Sequence, residues 1–67
     1  MEASRLVKGK DYVWIHKEGK VTMVDRVTFK HETVNKYVFS RGEEDVELTY
    51  LLVRLCITEF KNESNRV

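Results

Sequence analysis

The sequence predicts a mainly β domain of five short strands, with one short helical turn before the last. Three observations carry that expectation. β-Branched residues alternate with aromatic ones in Asp11 to His16 (DYVWIH), and apolar with mostly polar residues in Val21 to Lys30 (VTMVDRVTFK), the period of two of a β-strand. Gly19 and Gly42 interrupt the alternating runs, where tight turns need a residue free to take positive φ. The runs themselves are rich in β-branched and aromatic residues, which suit a pleated surface.

Size and composition set the outer bounds. A chain of 67 residues is one domain, close to the smallest core that holds a fold without a staple. Its expected division is an N-terminal arm over 1–10, a core over 11–60 and a frayed polar tail, KNESNRV, over 61–67. The chain is 42% hydrophobic and 34% charged, outside the weakly apolar range of disordered segments. Its single cysteine, Cys56, excludes an internal disulfide and fits a reducing compartment, so a cytoplasmic location is expected. The opening MEASRLVKGKDY has no apolar signal core, and Arg54 interrupts the longest apolar run, so neither a signal peptide nor a membrane span is expected.

In the first strand, Asp11 to His16, Val13 and Ile15 lie on one side and Tyr12, Trp14 and His16 on the other; the β-branched pair is assigned to the core. KEGK then turns the chain into a longer second strand, Val21 to Lys30. Val21, Met23, Val27 and Phe29 share a face of that strand with Asp25, which predicts a bulge near Val24 or a bend toward solvent. HETVN (His31 to Asn35) reads as a loop, KYVFS (Lys36 to Ser40) as a third strand, and RGEE around Gly42 as a second turn.

The run VELTYLLVRLCITEF, Val46 to Phe60, supports three readings. As one helix it lines up Glu47, Arg54, Thr58 and Lys61 in a polar stripe. As one strand it alternates Val46 and Leu48, then Val53, Leu55 and Ile57, with polar neighbours. The two phases conflict around Thr49 to Leu52. A strand, one helical turn capped by Thr49 and a second strand accommodates both, with the single helix as its competitor.

This order of elements resembles an SH3-like barrel over Leu6 to Phe60, and LVKGKDYVWI is similar to the opening of Tudor-like and KOW-like members of that class. KOW motifs usually carry a glycine pair around the first hairpin, where this chain has Gly19 alone. The ALYDY strand of proline-peptide-binding SH3 domains is absent. The resemblance therefore implies a five-stranded SH3-like barrel and leaves its ligand open.

Chemistry-bearing motifs are few. His16, His31 and Cys56 are the only nitrogen or sulfur ligand candidates and stand far apart in sequence, so no metal or cofactor is expected. No serine occupies a nucleophile elbow, and no glycine-rich loop is placed to cradle phosphate. Cys56, between Leu55 and Ile57, reads as an inert, partly buried thiol. Asp25 reads as a bulge residue bonded to backbone amides or to Arg26. The chain is expected not to be an enzyme, and no small-molecule substrate is expected.

What remains is a surface. Net charge is +1, yet up to Arg41 there are nine basic residues against five acidic, and beyond it three against six, led by Glu43, Glu44, Asp45 and Glu47. Such a split suits head-to-tail contact with copies of the chain or with a charged partner. With Val13 and Ile15 inward, Tyr12, Trp14 and His16 face outward beside Lys10, Lys17 and Lys20, and Tyr37 joins them as a candidate binding residue. The expected function is a non-catalytic protein-interaction module, self-association included, using this aromatic face. The alternative is a nucleic-acid-binding barrel whose rings stack bases while the lysines meet phosphates. The plain structural explanation is a tryptophan that covers an undersized core.

Overall fold

The computed structural model describes residues 1–60, and the tail expected over 61–67 lies outside them. After a 3₁₀ turn at Ala3–Arg5 come β1 (Asp11–Glu18), β2 (Val21–Glu32), β3 (Tyr37–Arg41), β4 (Glu44–Leu48), α1 (Tyr50–Cys56) and β5 (Ile57–Glu59). The five strands form one antiparallel sheet in the order β4-β3-β2-β1-β5. The chain is thus mainly β with one short helix before its last strand, as the sequence predicts. The sheet is not plainly closed into a barrel: β4 and β5 end it, and α1 links them in sequence.

The first turn decides which face becomes the core. Gly19 takes φ 64°, a left-handed conformation that side chains rarely adopt, and with Lys20 it makes a two-residue connection that pairs Glu18 with Val21. The register then runs unbroken, setting Tyr12 against Val27 and Val13 against Arg26. Tyr12, Val27, Phe29, Phe39, Leu48, Val53 and Ile57, with Ala3 from the N-terminal arm, form the core. The faces of β1 are therefore the reverse of those expected: Tyr12 is fully buried, and Ile15 is exposed. Aromatic rings remove more apolar surface from water than the smaller β-branched side chains do. Tyr12 meets Phe39 edge-on at 6.4 Å, and Phe29 lies 5.3 Å from Phe39 between ring centres.

Other departures are local. The break in β2 register falls between Phe29 and His31 rather than near Val24, so His31 and Glu32 belong to the strand and not to the expected loop. The loop that follows is closed by the Thr33 N–H, which donates to the Lys36 carbonyl at 2.8 Å. The arm packs on the core, where the Met1 amino group donates to the carbonyls of Arg54 (2.8 Å) and Ile57 (3.2 Å).

Val46 to Phe60 is strand, helix and strand. Thr49 is extended, and its Oγ1 accepts the Leu52 N–H at 3.3 Å, satisfying one of the unpaired donors of the first turn. The helix runs for seven residues. It therefore takes Val53 and Leu55 from the expected final strand, leaving β5 only three residues. Val53 is the residue that α1 buries, and Cys56, half-buried, ends the helix.

Candidate interaction surfaces

Strands β1, β2 and β3 bring a charged aromatic cluster together on the core side of the sheet, beyond the last core residues. Trp14 and Asp25 are direct cross-strand partners, and His16 is the next inward-facing residue on β1. The imidazole stacks on the indole with ring centres 3.8 Å apart and planes 18° apart. His16 Nε2 donates to Asp25 Oδ2 at 2.8 Å. Arg41, on β3, places its guanidinium 5.7 Å from the centre of the Trp14 ring. It also donates to Asp25 at 3.4 Å and to Glu44 at 3.1 Å. The hydrogen bond from His16 is the main cause that holds the Asp25 carboxyl below its ordinary value of 3.8, with the Arg41 charge acting in the same direction. Asp25 is thus bound by His16 and Arg41, in place of the backbone amides or Arg26 expected from the sequence.

Arg26 points to the other face. It and Thr28 hold Asp11, with Thr28 Oγ1 donating at 2.6 Å and Arg26 Nε at 3.0 Å, and the Thr28 bond leads the causes that lower the Asp11 carboxyl. The guanidinium also covers the Phe60 ring at 4.5 Å.

The residues expected to make one binding face separate into three environments. Tyr12 is in the core, its hydroxyl accepting the Val7 N–H at 2.9 Å, so it offers no surface. Trp14 and Tyr37 are half-buried against the core, but Tyr37 pairs with Leu48 at the far end of β3 from Arg41. Lys10, Lys17 and Lys20 are exposed; Lys10 precedes β1 and lies over the Tyr12 ring at 5.8 Å, while Lys17 and Lys20 sit at the opposite end of that strand. Seven residues of strand put roughly 23 Å between Lys10 and Lys17. These lysines do not make one groove.

Two apolar surfaces were missed. On α1, Tyr50, Leu51, Leu52 and Leu55 are exposed, Leu55 to 70% and Leu51 to 58%. The signal was present in LTYLLVRLC, since a short amphipathic turn can bury only one of so many apolar residues. The second is the far half of the β1–β2 hairpin. β3 pairs β2 from Thr28 onward and β5 pairs β1 no further than Trp14, so Ile15, Val21, Met23 and Val24 project without a layer above or below them and are all exposed.

The described residues hold no cluster of three potential metal ligands, enclose no pocket and include no helix long and apolar enough to cross a membrane. Comparison of the chain with family models, with curated proteins and with solved structures gives no match.

Proposed function

We propose that this chain is a small non-catalytic module that binds another protein through exposed apolar surface. The observation that carries the reading is α1, a seven-residue helix that buries Val53 and leaves Tyr50, Leu51, Leu52 and Leu55 in solvent. A contiguous apolar patch of this kind is costly to leave in water and is characteristic of protein-binding sites. The partner it fits presents an apolar surface of its own. The single, half-buried thiol is in keeping with a reducing, cytoplasmic setting.

The nucleic-acid alternative loses support from the packing of the aromatic residues. Base stacking needs a free ring face, whereas His16 already occupies the stacking position on Trp14, Arg41 lies over that ring, and Tyr12 is buried. Two experiments decide between the readings. A photo-reactive residue at Leu55 is expected to give one discrete protein adduct that Leu51→Lys abolishes; failure to capture any protein would count against the reading. Labelled single-stranded and duplex oligonucleotides are expected to show no binding. Affinity that falls steeply with salt would transfer the function to nucleic acid.

A further inference from the structure

The sheet has several free strand edges among the described residues, and they are not alike. An unpaired edge offers a row of backbone donors and acceptors to any strand that approaches, and proteins usually blunt it with charge or by keeping it short. The outer edge of β4 carries Glu44, Asp45 and Glu47, β5 is three residues long and ends in Glu59, and the edge of β1 beyond Trp14 carries Lys17 and Glu18. A further edge is β2 before Thr28, where β3 has not yet joined. There Val21, Thr22, Met23 and Val24 form a run with no charge, no proline and no glycine, and all four are exposed, Val21 to 59% and Val24 to 64%.

Which backbone groups that edge presents follows from the ladder. The Phe29 N–H donates to the Lys10 carbonyl, on the β1 side. Along an antiparallel strand, successive residues direct their N–H and C=O groups to opposite neighbours, and the β1–β2 register has no break from Val21 to Thr28. Odd-numbered residues of β2 therefore bond toward β1. Thr22, Val24 and Arg26 direct theirs away from it, and only Thr28 and those beyond it meet β3.

We infer that the Val21–Val24 edge of β2 pairs antiparallel with the same edge of a second copy, on a two-fold axis through Thr22. This inference deepens the protein-binding reading by naming one partner, and it concerns a different surface from α1. A two-fold axis normal to the sheet sets Thr22 against itself, exchanging two N–H···O bonds, and sets Val21 against Met23 of the second copy on the core side. Equal-parity pairing keeps each face of the joined sheet consistent. Lys20 lies just before the neutral run and Asp25 just after it, so antiparallel pairing brings the Lys20 end of one copy toward the Asp25 end of the other. An axis one residue on, at Met23, would instead oppose Lys20 and Arg26, two like charges. An axis at Val24 would push Val21 against Val27, beside which Arg41 of β3 already lies. A net charge of +1 leaves little repulsion between copies.

Sedimentation velocity on the full chain from about 10 µM to about 1 mM spans the range in which a small interface of this kind associates. The expected result is a concentration-dependent dimer. Thr22→Pro removes the donor that lies on the axis and none that faces β1, so it should raise the dimer Kd at least about tenfold while the circular dichroism spectrum and melting temperature hold. Should Thr22→Pro fail to fold, Thr22→Lys, which places charge on the edge and keeps the backbone donor, is expected to give the same loss. In a Cys56→Ser background, Thr22→Cys should cross-link under mild oxidation, because directly opposed residues of a hydrogen-bonded pair stand roughly 5.5 Å apart at Cα. A monomer at every concentration overturns the inference, as does a dimer that survives both Thr22 variants and yields to Leu55→Lys. A monomer that still gives the discrete adduct from Leu55 would overturn the β2 pairing alone and leave the protein-binding function standing.

Discussion

Strands β1 and β2 pass through two different environments. At their base, Tyr12, Val27 and Phe29 are covered by β3, β5 and α1 and are nearly inaccessible to solvent. At their far end, Ile15, Met23 and Val24 belong to the same two strands, in the same register and with comparable hydrophobicity, yet stand in water. Pairing alone does not bury a side chain; a second layer does, and a two-stranded ribbon without one is marginal in isolation. The charged aromatic cluster of Trp14, His16, Asp25 and Arg41 marks the border between the two regions, where a half-buried ring and paired charges replace aliphatic packing.

Substitutions can test that contrast in order of expected effect. Phe39→Ala empties the centre of the base and should cost about 3–5 kcal/mol in denaturant unfolding, enough to unfold a domain of this size. Trp14→Ala, at the border, should cost roughly 2 kcal/mol, because one side of the ring already meets solvent-facing partners. Thr49→Ala removes the α1 cap and should cost about 1 kcal/mol. Asp11 and Asp25 have lowered carboxyl values, so the stability they contribute is complete above 3.8, the ordinary value, and is lost as pH falls through their lower folded-state values. The midpoint of urea unfolding should therefore drop below about pH 4, and the drop should be shallower in an Asp25→Asn, Asp11→Asn double variant. Val24→Ala, in the open region, should lie within about 0.5 kcal/mol of the parent. A Val24 effect as large as that of Phe39 would erase the distinction between the two regions.

The succession of strands along the chain and the helical turn before the last strand were legible because alternation, turn glycines and the Thr49 cap are local signals. The orientation of β1 was misread because both of its faces are apolar. The deciding signal was nevertheless present: a two-residue turn at Gly19–Lys20 fixes the register, and it opposes Val13 to Arg26 and Tyr12 to Val27. Counting across that turn places Tyr12 on the face that holds Phe29. The same count sets Asp25 opposite Trp14 and within reach of His16, whereas the Arg41 contact was not legible, since it depends on how β3 packs. The open β2 edge was hidden for a similar reason. Only the point at which β3 begins to pair, Thr28, shows that Val21 to Val24 lack a neighbour.

Amide hydrogen exchange, followed residue by residue by NMR at low micromolar and at millimolar protein, tests the division most directly. At low concentration the Phe29 amide, bonded to Lys10 in the packed base, should exchange only through global unfolding. The Thr22 and Val24 amides, directed away from β1, should exchange nearly as fast as an unstructured peptide. At millimolar protein Thr22 and Val24 should slow together while Phe29 stays unchanged. Slow exchange at Thr22 and Val24 in the dilute monomer would contradict the account, because it would mean that the chain itself covers the edge of β2.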